Sequence, residues 1–270
     1  MNAAEEYLQG IQRELAHDDA ARPVPDPHEL VIELTDVRLA FGGLVVLDGV
    51  SLDVRRGETL MIAGESGSGK STILKLILRL LRPDAGEIRV FDEDVAHLTF
   101  AEALDLRRQI GMVFQNAALF DSMTIYENVA YPLRENTEMA EDEIEHTVRE
   151  RLQFVDLDPD QVMAQLPSQL SGGMRKRVGI ARAIATNPRV ILYDEPTSGL
   201  DPLTVSTFNA LMRKLQHELH VTSVLVTHDI REGFRVANRV NLLRDGRIVF
   251  RGTPEEMVAR QDPYITAFLS

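Results

Sequence analysis

Nine consecutive residues, Gly64-Glu65-Ser66-Gly67-Ser68-Gly69-Lys70-Ser71-Thr72, combine glycines with a lysine and hydroxyls in a pattern suited to holding phosphate. Glycines let the backbone curl so that successive amides point inward at phosphate oxygens. A helix beginning near Lys70 adds its positive N-terminal end. Lys70 would reach the β- and γ-phosphates, and the Ser71 hydroxyl would ligate Mg²⁺. The loop alone does not say which reaction follows.

Two carboxylates supply a second piece of chemistry. Asp194 and Glu195 close the apolar run Val190-Ile191-Leu192-Tyr193, where adjacent acids need a reason. An Asp can hold Mg²⁺ through water, and the next carboxylate can orient and deprotonate an attacking water. If the strand continues, the two side chains point opposite ways, one toward the phosphate loop and one toward the γ-phosphate. A third segment, Leu170-Ser171-Gly172-Gly173-Met174, offers Ser171 as a helix N-cap and glycines that leave the following amides open to an anion.

The elements that must position these groups are legible in outline. Leu60-Met61-Ile62-Ala63, Val190 to Tyr193 and Val224-Leu225-Val226-Thr227 read as buried parallel strands, each running straight into polar residues. Open α/β sheets bind ligands beyond the carboxyl ends of their strands. Ahead of them, Leu30 to Val54 is strand-like, with turn signals at Gly42-Gly43 and Arg56-Gly57. Between Asn116 and Gln169, Met139, Ile144, Val148, Leu152 and Val155 have near-helical spacing, which predicts a small helical subdomain. Asp245-Gly246 predicts a hairpin, followed by a helix capped by Thr253, Pro254 and Glu256. At the other end, residues 3 to 17 could form a helix before an extended linker at Pro23, Pro25 and Pro27. The expected organisation is a 1–28 extension and a 29–270 cassette with its helical subdomain at about 116–169.

Composition narrows the function. At 270 residues the chain can bury a substantial core. Its net charge of -13 argues against a broad nucleic-acid surface. No apolar stretch approaches the roughly 20 residues that span a bilayer; Ile73 to Leu81 carries Lys75 and Arg79 and reads as a core helix. The N-terminus has neither the basic start nor the apolar run of a secretory signal. Zero cysteines exclude disulfides and thiolate metal sites.

Asp194-Glu195-Pro196-Thr197-Ser198-Gly199-Leu200-Asp201 resembles the extended Walker B and D-loop of ATP-binding cassette (ABC) ATPases, and Leu170 to Met174 resembles their signature. The motif order agrees, and the resemblance covers about residues 30 to 260. It implies an α/β P-loop NTPase (RecA-like) core with a parallel sheet, an N-terminal antiparallel β subdomain and an inserted helical subdomain. It implies ATP and Mg²⁺ as ligands, with Ser71, Gln115 and Asp194 at the metal. Ser171, Gly172 and Gly173 would clasp the γ-phosphate bound to a second copy of the chain, so that two copies form a homodimer. Glu195 would be the base and His228 the switch histidine on the γ-phosphate. Gln115 would relay nucleotide state, and Asp201 would reach across the dimer. Phe41 stands either where the adenine-stacking ring belongs or as a core phenylalanine. Arg175, Lys176 and Arg177 read as a solvated or structural face.

Met174 replaces the glutamine usual in the signature. With Asn116 to Thr124 after Gln115, the continuation Glu127 to Glu135, and Leu166-Pro167-Ser168-Gln169, the chain resembles the ATP-binding subunits of Mce-associated lipid transporters of the Mla type. That implies a peripheral protein on the cytoplasmic face of the inner membrane, an integral membrane permease, an MCE-domain partner and no nucleic acid. An ATPase for a polar solute such as an amino acid is the alternative. A cassette acting on nucleic acid or ribosomes fits less well, since such chains carry coiled-coil insertions or two cassettes.

Overall fold

The computed structural model describes residues 29–260 and 262–268. The expected N-terminal helix, the proline linker and the 1–28 extension lie outside the described residues. The chain divides into two compact units, one formed by the segments up to Ala103 and from Met212, the other by Leu104–Leu211.

In the first unit, β1 (Leu30–Phe41) and β2 (Leu44–Arg55) pair antiparallel across the Gly42-Gly43 turn. The strand β3 (Thr59–Ala63) is buried along its whole length, as expected of a strand covered on both faces. The phosphate loop leads from it into α1 (Lys70–Ile77). This helix is shorter than the apolar run Ile73 to Leu81 suggests. Arg79 takes φ 51, and Leu80 beyond it is 58% exposed. Arg79 donates to the carbonyls of Val95 and Leu98 at 2.8 and 2.7 Å, so the guanidinium closes the turn. Next come β4 (Ala85–Val90) and β5 (Glu93–Asp94), which complete an antiparallel sheet in the order β2-β1-β4-β5. The helix α2 (Phe100–Arg108) spans the division between the units.

The second unit holds β6 (Ile110–Val113), α3 (Ile125–Asn136), α4 (Glu141–Phe154), the short α5 (Pro159–Val162) and α6 (Gly172–Ala183). It ends with β7 (Val190–Asp194), parallel to β6, and most of α7 (Pro202–Leu219). Thr124 and Glu127 form a reciprocal capping box that starts α3. Ile144, Val148 and Leu152, four residues apart, bury one stripe of α4 while its acidic face stays in water.

The chain then re-enters the first unit as β8 (Thr222–Thr227), α8 (Ile230–Phe234), β9 (Arg239–Arg244), β10 (Arg247–Gly252), α9 (Pro254–Ala259) and α10 (Pro263–Phe268). β8 and β9 flank β3 in parallel, and β10 returns antiparallel to β9. Asp245 and Gly246 both have positive φ, the geometry of the tight hairpin turn their sequence signals. Thr253 and Glu256 form the expected capping box.

One ion cluster joins β2, β9 and the residue just before β3. Arg239 grips both oxygens of the fully buried Glu58 side chain at 2.7 and 2.8 Å, and it also donates to Asp53 Oδ2 at 2.9 Å. The Arg55 N–H also donates to Glu58 Oε1 at 2.6 Å, and the bidentate fork supplies the countercharge that a buried carboxylate needs. Arg239→Met therefore lowers the unfolding free energy by about 3 kcal/mol in urea denaturation, the cost of an orphaned buried charge. Adding Glu58→Gln to that background recovers part of the loss.

Candidate functional site

The first unit carries the phosphate loop, Phe41 and His228. Gly69, at the N-terminus of α1, takes φ 103, a conformation open to glycine. A Cβ placed there would also lie 3.0 to 3.2 Å from Leu47 and Val46 of β2. The loop can thus lie against β2 only with a glycine at this position. Lys70 is buried, and its ammonium donates to the carbonyls of Gly64 and Glu65 at 2.8 and 2.9 Å. The loop backbone thereby curls around a positive charge. The buried Ser68 hydroxyl has no hydrogen-bond partner among the described residues. Gly64, Ser66, Gly67, Ser71 and Thr72 complete the run, with Ser66 and Gly67 exposed at its tip. A cationic, hydroxyl-bearing cradle at a helix N-terminus fits a nucleotide polyphosphate.

Phe41 ends β1 with 48% of its surface exposed, which places it outside the core. His228 is exposed directly after β8, and Asp229 beyond it caps α8 by accepting from the Glu232 N–H. A cavity of about 370 Å³ runs beside the loop, lined by Leu44–Val46, Glu65–Ser68, Leu243–Gly246 and Tyr264. Tyr264 was not foreseen. Its hydroxyl donates to Glu65 Oε1 at 3.3 Å, and the Arg244 guanidinium lies 3.9 Å above its ring. Burial first, then the Glu65 carboxylate, pushes the Tyr264 phenol above its ordinary pKa. Residues 199 positions apart in the chain meet here, so no local pattern signals the contact.

The second unit gathers the other candidates. Asp194 is the last residue of β7. The strand does not continue, because Glu195 takes φ 48, and strand alternation therefore does not set the direction of its side chain. Gln115 follows β6 and donates from Nε2 to Ser198 Oγ at 3.2 Å. Ser171 caps α6, accepting from the Met174 N–H at 3.3 Å. Its hydroxyl proton stays available to an anion. Gly172 is exposed beside it. A Cβ on Gly173 would come within 2.8 Å of Thr204 Cγ2, so the start of α6 packs tightly on the start of α7. Asp201 accepts from the Thr204 hydroxyl at 2.5 Å and from the Leu203 and Thr204 N–H groups at 3.1 Å. The Thr204 hydroxyl bond, then its backbone N–H, holds the Asp201 carboxyl below its ordinary range.

The basic run after the signature turns out to be structural, with different partners for each residue. Arg175 donates to Leu170 O at 2.6 Å. Arg177 reaches Asp156 O at 3.3 Å. Lys176 is 8% exposed and donates to Pro196 O at 2.5 Å and Ser198 O at 2.7 Å. The sequence carried a signal for that burial: Lys176, Gly179, Ile180 and Ala183 share the helical stripe that α6 buries. One turn and a half further on, Arg182 donates to the carbonyls of Ala118 and Ala117 at 2.8 and 2.9 Å.

The segment after Gln115 is fixed from inside. The buried Asn128 accepts from the Phe120 N–H at 2.8 Å, and its Nδ2 reaches the carbonyls of Phe120, Met123 and Thr124. On the outside lies a groove of about 310 Å³, in which Phe114, Phe120 and Tyr131 show about 40% of their surface. Residues 47–198 match the family described as ABC transporter. The chain belongs to the ABC transporter family.

Membership makes it an ATPase whose cassette binds ATP, on an α/β P-loop NTPase fold. The chain is 37% identical over 239 residues to the intermembrane phospholipid transport system ATP-binding protein MlaF of Haemophilus influenzae, covering 88% of this chain and 90% of that one. It is 36% identical to the probable ribonucleotide transport ATP-binding protein mkl of Mycobacterium leprae, over 90% of this chain and 70% of that one. A dimeric structure of the ATP-binding cassette MJ0796, in a post-hydrolysis state with ADP and Pi, superposes with a TM-score of 0.75 at 36% identity. It covers 83% of this chain and 98% of the other. Among the described residues, no helix is long and apolar enough to cross a membrane.

In this ABC cassette, Gly69→Ala strains a left-handed position and drives a methyl group into β2. Backbone strain of about 1–3 kcal/mol weakens ATP binding about tenfold or more. Titration with a fluorescent ATP analogue measures it, with circular dichroism confirming the fold.

Proposed function

We propose that this chain is the ATP-hydrolysing subunit of a lipid transporter of the Mla type, working as a head-to-tail homodimer beneath a separate membrane permease. The observation that carries the reading is the match to MlaF along nearly the whole length of both chains. The aromatic groove beside Gln115, braced by Asn128 and Arg182, supports a permease contact at that surface. The chain then sits peripherally on the cytoplasmic face of the inner membrane, with an MCE-domain protein as the further partner. Residues 29–270 form the cassette, its helical subdomain lying at about 116–169.

Each candidate residue takes a role that its chemistry supports. Phe41 stacks on the adenine. Gly64 to Thr72 cradle the phosphates with backbone amides, and Lys70 exchanges its carbonyl partners for the β- and γ-phosphates. Ser71, Gln115 and Asp194 are the residues that would hold Mg²⁺, which when bound would neutralise charge developing on the phosphates. Glu195 orients the attacking water and takes its proton, while His228 supports that carboxylate and contacts the γ-phosphate. Ser171, Gly172 and Gly173 close on the nucleotide of the partner copy with the N-terminus of α6, and Asp201 reaches across the dimer. Met174 contributes no anion contact in this arrangement, so its departure from glutamine leaves the clamp intact.

Glu195→Gln removes the base and keeps the phosphate clamps. The variant binds ATP and accumulates a closed dimer, seen as an ATP-dependent shift in analytical sedimentation. Turnover at the wild-type rate would refute the assignment. Ser171→Arg and Lys70→Ala are each inactive alone. Mixed, they regain part of the activity, because one composite site of the heterodimer carries neither lesion. A proven heterodimer without rescue rules out the trans arrangement. Cargo is decided by purifying the chain with its membrane partner and identifying bound molecules by mass spectrometry. Phospholipids support the lipid reading. Recovery of a soluble polar-solute receptor favours the second reading, toward which the name of the mycobacterial relative points.

A further inference from the structure

We propose that Lys176 is a positioning residue for ATP hydrolysis, tying the signature helix α6 to the loop that carries Glu195 and Asp201. That loop runs from the end of β7 to the start of α7. It is built from consecutive turns, in which Ser198 N–H donates to Glu195 O and Leu200 N–H to Thr197 O, each at 3.2 Å. Such turns turn carbonyls off the loop axis, and two of them, Pro196 O and Ser198 O, face the buried ammonium at 2.5 and 2.7 Å. Burying an ammonium is unfavourable unless strong acceptors replace its water. Short charge-assisted bonds do so, and they make the loop position a condition of the helix position. Burial also lowers the Lys176 pKa.

The same helix begins at Ser171, five residues earlier, and its first turn is pressed against Thr204 at Gly173. Thr204 in turn holds Asp201. Ser198, held by Lys176 through its carbonyl, also accepts the Gln115 amide on its hydroxyl. Signature, base-bearing loop, Asp201 and Gln115 therefore belong to one hydrogen-bonded piece, and Lys176 is its buried centre. On the reading above, Ser171 faces the nucleotide of the partner copy while Glu195 serves the nucleotide of its own chain. Displacement of Ser171 by the partner's nucleotide is then passed through Lys176 to the loop of Glu195. This makes Lys176 the link between the two ATP sites of the dimer.

The test compares Lys176→Met, which keeps the stem and removes the donors, with Lys176→Gln, which restores an amide donor, in the full chain. Fluorescent-nucleotide affinity is expected to stay within about twofold, since the phosphate loop is untouched. In Lys176→Met, kcat falls about 10- to 100-fold, the range for groups that orient a reacting residue. KM changes little, and the Hill coefficient for ATP drops toward about 1. Lys176→Gln recovers part of kcat. Wild-type kcat and cooperativity in Lys176→Met overturn the proposal. So does a Lys176→Gln protein as slow as Lys176→Met with the same loss of Tm, which marks a purely structural role. Should Lys176→Met not fold, Lys176→Gln carries the test, and kinetics indistinguishable from wild type overturn the idea. The kcat arm is read within one chain. Absence of an ATP-dependent dimer in Glu195→Gln protein with Lys176 intact refutes the two-site arrangement, and with it the cooperative part of this inference.

Discussion

An ammonium taken out of water must find acceptors, and in this chain two lysines find them on backbone carbonyls. Lys70 is held by Gly64 and Glu65, Lys176 by Pro196 and Ser198. The two carbonyls on Lys176 carry no charge of their own. A carboxylate would neutralise the charge and compete with any phosphate, whereas a carbonyl satisfies the donor and leaves net positive charge in place. At Lys70 the carbonyls hold the cation within the phosphate loop. At Lys176 it orders the loop between β7 and α7. The chemistry of the cassette depends on this constraint, because both catalytic segments are irregular backbone that a buried cation shapes.

The same device recurs with guanidinium groups at less buried places. Arg79 closes the turn after α1 on the carbonyls of Val95 and Leu98, and Arg182 fixes Ala117 and Ala118 in left-handed conformations just after Gln115. The helix α6 thus carries two basic side chains that hold two different loops, one bearing the acid chemistry and one bordering the aromatic groove. A rigid helix is a good carrier for that purpose, since its length does not change when either loop is displaced. Where the chain buries a carboxylate, at Glu58, it pairs it instead with the Arg239 fork, at a place with no bond to the phosphate loop.

Local backbone chemistry made much of the molecule legible in advance. The phosphate loop, the Asp245-Gly246 hairpin and the Thr253–Glu256 capping box depend on φ values and hydrogen bonds within a few residues, so residue type and spacing suffice. The buried strands were legible because full coverage demands unbroken apolar runs, as in β3 and β8. Ser171 as a cap belongs to the same class. Less was visible where a short apolar run has to end. The helix α1 stops at Ile77 because Arg79 turns to reach Val95 and Leu98, acceptors well beyond the helix itself.

By itself, then, the chain of residues determines the nucleotide loop, the order of the motifs and the family they belong to, since these are written in contiguous residues whose chemistry is local. Tertiary packing settles the rest. It leaves Phe41 exposed rather than in the core, ends β7 at Asp194 so that Glu195 leaves the strand direction, and brings Tyr264 to Glu65. It also turns Lys176 inward, deciding between the solvated and the structural face that the run Arg175 to Arg177 left open. For Tyr264 and Lys176 the deciding partners lie outside the local sequence, and the free energy of burying a ring or a charge depends on those partners rather than on adjacent residues.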